Sequence, residues 1–169
     1  MTEYKSWPLG QLPPEFQRPE LDQLKKNGYK FNDPREVVDI FEKKVAKFAG
    51  AKYGIAVDCC SHGLFLSLKW YKDVMKMITE HIHIPRYTYC SVPMQIIHAG
   101  FKPVFEDVTW SGMYQLKPFD IWDGAVRWTQ GMYKSGFHIV SFQLKKRIPI
   151  GRGGMILTND KKAADWFRK

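Results

Sequence analysis

Cysteine is scarce in this chain. Three thiols in 169 residues, Cys59, Cys60 and Cys90, are too few and too oddly numbered for a disulfide framework. Neighbours such as Cys59 and Cys60 do not easily bridge each other, so a reducing compartment is expected. No apolar run is long enough to span a bilayer, and the opening Met1-Thr2-Glu3-Tyr4-Lys5 lacks the basic-then-apolar pattern of a signal peptide. The expectation is a cytoplasmic chain with no membrane partner. C-x-x-C and H-E-x-x-H spacings are absent too, so no metal is expected, although His81 and His83 alternate on one candidate strand. There is no internal repeat and no low-complexity tract. Acidic residues are also in short supply: 17 Asp and Glu face 26 Lys and Arg, a net charge of +9. Residues 1–85 carry 13 basic and 11 acidic side chains, whereas residues 86–169 carry 13 and 6. The second half therefore favours an anion (phosphate, nucleotide, nucleic acid or an acidic partner) or is a solvated basic surface.

What is present suits a folded body. Hydrophobic residues at 44% and charged residues at 25% are ordinary globular usage and exclude disorder as the default. The length fits one domain or part of a larger one, with roughly 70% of the unfolded surface buried. Aromatics reach 15%, which implies a large core or a wide interface. Residues 1–33 are punctuated by Pro8, Pro13, Pro14 and Pro19 and read as an arm with one helical stretch at Glu20–Lys26. Asp33-Pro34-Arg35-Glu36 is a helix start, and Val37, Ile40, Phe41, Val45 and Phe48 share one face until Ala49-Gly50. A strand at 52–57 precedes a helix that Ser61 can cap, with an apolar stripe of Leu64, Leu68, Tyr71, Met75 and Ile78. Strands at 81–85 and 102–108 flank a helix at 92–99. Short apolar runs follow at 119–122, 137–142 and 154–158, and a helix from Asn159 or Asp160 to the last residue. Alternating strands and helices predict an α/β three-layer sandwich with a mostly parallel sheet.

Ligands of such sheets gather at the carboxyl ends of strands, and three junctions carry candidate chemistry. Val57-Asp58-Cys59-Cys60-Ser61-His62-Gly63 ends a strand and opens a helix, whose free N–H groups and positive dipole end suit a phosphate. A plain strand-to-helix turn is the bland alternative. Ile121-Trp122-Asp123-Gly124-Ala125 ends an apolar run in an aspartate, which caps a turn or holds a cationic ligand group. Ser141-Phe142-Gln143-Leu144-Lys145-Lys146-Arg147 leads a strand into three cations and a glycine-rich turn. Crowded cations depress a lysine pKa and free its amine as a nucleophile, while a solvated basic loop is the simpler reading. Brought together, a phosphate cradle, a buried Asp and an activated Lys are the parts of a pyridoxal phosphate site. The Lys would form a Schiff base with the aldehyde and the Asp would pair with the pyridinium nitrogen.

The order of motifs resembles the DegT/StrS-type sugar aminotransferases, fold-type-I pyridoxal phosphate enzymes. Residues 34–169 carry most of the resemblance, and Trp7-Pro8-Leu9-Gly10 resembles the family's opening. Ile84-Pro85-Arg86-Tyr87-Thr88-Tyr89 is similar to the family's "VPSYTF", and Ala99-Gly100-Phe101-Lys102-Pro103-Val104-Phe105-Glu106-Asp107-Val108 to "AGAKPVFVDV". Ser141-Phe142, Lys146, Ile148 and Gly151-Arg152-Gly153-Gly154 fit "SFHxxKxLxxGEGG". The resemblance implies that Lys146, not Lys145, is the Schiff-base lysine and that Asp123 faces the pyridine nitrogen. It implies that Tyr89 stacks on the ring, that Ser61, the His62 backbone and Ser141 hold the phosphate, and that the protein is a homodimer. It implies residues 1–33 as an arm and 34–169 as a large-domain core, with the C-terminal small domain absent. Departures are Cys60 for a glycine, His62 and Gly63 for two alanines, Trp122 for a glutamate, Val126 for a polar residue, Arg127 for a small one and Gln143 for a histidine.

The resemblance implies transfer of an amino group from an amino-acid donor, often glutamate or glutamine, to a keto group on a nucleotide-linked sugar. A shortened, non-catalytic relative that keeps the fold and serves as a dimerising or regulatory module is the alternative. That alternative rests on Val126 and on a chain that stops inside a helix soon after the lysine. A nucleic-acid module using Lys145, Lys146, Arg147 and Arg152 would need exposed aromatics between its basic residues. Most aromatics here sit at core-like spacing, so no nucleic-acid partner is expected.

Overall fold

A computed structural model describes residues 19–30, 33 and 35–169. The readings made for residues 1–18, Trp7-Pro8-Leu9-Gly10 among them, and for Pro34 lie outside the described residues. The chain divides into two units, Met1–Val37 and Val38–Lys169. In the first, helix α1 (Pro19–Lys26) covers the stretch expected to be helical. It closes through Gly28 in the left-handed region at φ +91°, with the Tyr29 N–H donating to the Leu24 carbonyl at 3.2 Å. Asp33 opens helix α2 (Arg35–Ala49) by accepting the Arg35 N–H on its carboxylate at 2.9 Å.

In the second unit, α2 turns Val45, Ala46 and Ala49 inward. Phe48, expected on the same face, is exposed and stacks on Trp128 with ring centroids 4.8 Å apart. The remaining elements are β1 (Tyr53–Val57), α3 (Cys60–Lys69), β2 (His81–Pro85), α4 (Ser91–His98), β3 (Lys102–Glu106), β4 (Tyr114–Gln115), β5 (Ile121–Asp123), β6 (Phe137–Ser141), β7 (Gly154–Thr158) and α5 (Lys161–Phe167). Among the described residues no helix is long and apolar enough to cross a membrane.

The α/β class holds, but the sheet is mixed where a mostly parallel one was expected. Five strands run in the order β1-β7-β6-β5-β4, and β2 and β3 pair separately. Only β5–β6 and β2–β3 are parallel, while β1–β7, β6–β7 and β4–β5 are antiparallel. A parallel neighbour needs a crossover element, usually a helix. The β4–β5 and β6–β7 connections carry no helix and fold straight back, whereas residues 124–136, also without a helix, cross over to make β5–β6 parallel. Beyond β4, His83 and Lys117 exchange backbone hydrogen bonds of 2.8 and 3.2 Å. Residues 114–117 thus bond to β5 on one side and to β2 on the other, joining the two sheets into one layer.

Alternation on the central strands makes three layers. Ile139 of β6 and Ile156 of β7 pack with Leu64 and Leu68 of α3. Val140, Met155 and Leu157 point the other way and pack with Val45, Ala46 and Ala49 of α2. All five residues of β7 are buried, as a central strand covered on both faces requires. The stripe expected along α3 holds for Leu64, Leu68 and Tyr71, which stacks on Phe119, and breaks after Tyr71. A π-helical turn, Trp70–Val74, shifts the register and turns Trp70 inward against Phe137, Trp166 and Phe167. Met75 and Ile78 are left 53% and 97% exposed. Asp160 caps α5, accepting from Lys162 and Ala163 N–H groups, and the helix ends at Phe167 instead of at the last residue.

Candidate functional site

At the carboxyl ends of β1, β5 and β6 lies a cavity of about 340 Å³, within the range of small-molecule sites. Its lining includes Ser61, Tyr89, Asp123, Ser141 and Lys146, five of the six residues singled out from the sequence. The sixth, His62, is exposed and directs its ring away: Nδ1 meets Asp58 Oδ1 at 2.6 Å. His62 is not among the residues that line the cavity. The first intrahelical bond of α3 runs from the Gly63 N–H to the Cys59 carbonyl at 3.2 Å. The N–H groups of Cys60, Ser61 and His62 therefore have no intrahelical acceptor.

The helix start is built for close approach. Cys59, in extended backbone with no side-chain cap bond, is the N-cap residue, so Ser61 is not the cap. The Ser61 hydroxyl instead pairs with that of Ser91, at the start of α4, at 2.7 Å. A Cβ on Gly154 would lie 2.6 Å from the Cys60 nitrogen, and one on Gly63 would lie 2.8 Å from Ile139 Cγ2. Glycine at both places lets the α3 start press onto the sheet. Cys60 needs no glycine-like backbone, because among the described residues Lys76 is the only non-glycine with positive φ. Burial pushes the Cys60 thiol well up, with the Asp123 charge acting in the same direction and Lys146 opposing it.

Asp123 ends β5 and is 6% exposed. Its Oδ1 accepts the Ala125 N–H at 2.9 Å and its Oδ2 accepts the Tyr114 hydroxyl at 2.7 Å. Burial raises its pKa, while the two hydrogen bonds and the charge of Lys146 hold it down. Tyr114 also bonds Thr88, which directly precedes Tyr89. Neither Tyr114 nor Thr88 was singled out in the sequence. The aromatic–polar pair lies far apart along the chain and carries no spacing signal. Strand alternation sends Trp122 to the opposite face from Asp123, where its Nε1 donates to Asp120 Oδ1 at 2.7 Å and Lys134 covers its ring.

Lys145 and Lys146 sit in the loop between β6 and β7, and both reach the cavity. Lys146 is half-buried, with its N–H bonded to the Gln143 carbonyl at 2.8 Å, whereas Lys145 is exposed. Ser141 ends β6 at the cavity wall, and Tyr89 stands at the mouth, 71% exposed. Arg127 lies against Gly112, and Val126 is exposed. Arg152 reaches Asp58 Oδ2 at 3.3 Å, next to the α3 start. Asp58, Cys59 and His62 each offer a metal-ligating atom within 4.8 Å of the others, but Asp58 is already engaged by His62 and Arg152. The arrangement brings an amine, a desolvated carboxylate, helix-start residues and hydroxyls to one cavity.

Residues 15–122 match the sequence profile of the DegT/DnrJ/EryC1/StrS aminotransferase family. Asp123 and Lys146 lie beyond that stretch. A curated relative, the spore coat polysaccharide biosynthesis protein SpsC of Bacillus subtilis (strain 168), is 36% identical over 92 residues. Those residues are 53% of this chain and 22% of that protein. Among solved structures, a putative PLP-dependent aminotransferase from Bacillus cereus ATCC 10987 superposes with a TM-score of 0.64 at 15% identity, over 89% of this chain and 53% of its own. Helicobacter pylori PseC, an aminotransferase involved in the biosynthesis of pseudoaminic acid, gives a TM-score of 0.64 at 14% identity, over 88% of this chain and 51% of its own. The chain thus spans about half the length of the solved structures whose fold it shares.

Proposed function

The chain belongs to the DegT/DnrJ/EryC1/StrS aminotransferase family, and from that premise we propose that it takes part in pyridoxal-phosphate-dependent amino transfer to a keto group on a nucleotide-linked sugar. The observation that carries this reading is the meeting of Lys146 and Asp123 in one cavity with the start of α3. The residues fit the cofactor. A buried carboxylate suits a protonated ring nitrogen, and the N–H groups that open α3, which have no intrahelical acceptor, suit a phosphate.

In this reading Lys146 Nζ is the amine for the cofactor aldehyde, and Asp123 faces the pyridine nitrogen. Tyr89 lies against the ring, while Ser61, Ser141 and the His62 N–H take the phosphate. Bound pyridoxal phosphate supplies an electron sink for cleavage of a C–H bond beside the transferred nitrogen. Lys146 Nζ accepts that proton and returns it at the other end of the transfer, as general base and then acid. Asp123, desolvated and charged, keeps the ring nitrogen protonated. The surplus of cations in residues 86–169 favours a diphosphate-linked sugar, and an amino acid serves as donor. Residues 34–169 act as the large-domain core, in a cytoplasmic homodimer.

Pyridoxal phosphate added to the purified chain is expected to give a visible absorption band that Lys146→Ala abolishes and Lys145→Ala retains. Equal bands in all three proteins, or none in the parent, would remove the reading. A retained band with no half-reaction from any amino-acid donor would leave a non-catalytic relative that binds the cofactor.

A further inference from the structure

Both oxygens of the Asp123 carboxylate are taken by a donor from the protein, the Ala125 N–H on Oδ1 and the Tyr114 hydroxyl on Oδ2. A carboxylate shut away from water keeps its charge only where donors or cations replace the lost hydration. Among the described residues, the titratable groups that act on Asp123 are Cys60 from α3, Lys146 from the β6–β7 loop and Tyr114 from β4. Cys60 is held as a neutral thiol, and Lys146 acts only through its charge. Tyr114 is the side chain that gives Asp123 a hydrogen bond.

The direction of that bond follows from proton counting. An ionised carboxylate only accepts, so the single hydroxyl proton of Tyr114 points at Asp123. Tyr114 Oη must then accept from the Thr88 hydroxyl, its other partner. A protonated Asp123 would reverse both bonds. Burial, and behind it the Asp123 charge, raises Tyr114 well above the usual phenol range, so it stays a donor. The placement is also anchored in the fold. Antiparallel pairing of β4 with β5 sets Tyr114 opposite Asp123, and the Lys117–His83 bonds tie the same segment to β2.

Resting on the cofactor reading above, we propose that Tyr114 is a positioning residue whose hydroxyl, oriented by Thr88, aims Asp123 and keeps it an anion for the ring nitrogen. The chain Thr88–Tyr114–Asp123 also ties the loop that bears Tyr89 to the carboxylate.

The test titrates the Asp123 carboxyl by carbon-13 NMR in the full chain without cofactor, with Asp123→Asn identifying its resonance. Tyr114→Phe is expected to raise the Asp123 midpoint by about one pH unit, a tenfold gain in proton affinity. Thr88→Val should shift it the same way by less, and Thr88→Ser should restore it. A folded Tyr114→Phe chain with an unmoved midpoint overturns the proposal. So does an unmoved midpoint in Thr88→Val, which decides the matter if Tyr114→Phe does not fold. With pyridoxal phosphate bound, the pH midpoint of the visible band should move in Tyr114→Phe. A parent chain with no band at all defeats the cofactor reading, whereas the carboxyl titration still measures the hold of Tyr114 on Asp123.

Discussion

His138 lies on β6, on the α2 side of the sheet with Val140, and is fully buried. Among the described residues neither ring nitrogen finds a partner, and the Arg127 Nε nearby is also unpaired. A Cβ at Gly124 would sit 2.1 Å from His138 Nε2, so the imidazole fills the space that the glycine leaves. Burial, and after it the Arg127 charge, lowers His138 from 6.5 to about 4. The unfolded chain therefore binds this proton at higher pH than the folded one. Stability from the neutral ring is complete above the unfolded value and is lost as the pH falls from about 6.5 towards 4, by about 3 kcal/mol in all. Urea midpoints measured across that window should fall for the parent and fall less steeply for His138→Leu. At this scale the sequence drew attention to Asp123, as a carboxylate closing an apolar run, and to a run of cations from which only the family resemblance selected Lys146; both residues line the cavity. It assigned Ser61 to a helix cap and did not point to Tyr114, because the partners of both side chains come from other elements.

Glu42 belongs to the element scale. It sits on α2 among apolar residues at 5% exposure, where the helical stripe alone would place a hydrophobe. Its Oε1 accepts the Ala56 N–H of β1 at 2.7 Å, and its Oε2 accepts Arg168 Nη2 at 2.6 Å. The same Arg168 nitrogen donates to the Gly54 carbonyl at 3.0 Å. One ion pair thus fastens α2, β1 and the end of α5. Arg168→Ala should cost about 1–3 kcal/mol in urea unfolding, because a buried carboxylate loses a donor. Glu42→Gln, which keeps an acceptor for Ala56, should cost less. Strand and helix positions were legible from periodicity, since β2, β7 and α4 fall where their apolar runs lie. The π-helical turn was not, because the inward turn of Trp70 depends on Phe137, Trp166 and Phe167 arriving from later elements.

At the scale of the whole molecule, the aromatics serve the core and leave some apolar surface outside. Trp70, Tyr71, Phe101, Phe119, Phe137, Trp166 and Phe167 form a continuous set of edge and stacked contacts. Tyr87, Tyr89, Leu144 and Ile150 remain exposed, with Tyr89 at the cavity mouth. The proposed homodimer would cover such side chains, and sedimentation at tens of micromolar should give twice the 19.8 kDa chain mass. A concentration-independent single-chain mass would end that part of the proposal. By itself, the sequence determined the α/β class, the three junctions and the surplus of positive charge, because these follow from periodicity, turn chemistry and composition. Tertiary structure alone decided that the sheet is mixed, that residues 114–117 join its two parts, and that Tyr114 meets Asp123. Strand direction depends on how the intervening chain returns, and a hydrogen bond between side chains depends on which strands become neighbours. Neither is encoded in the local pattern of residues.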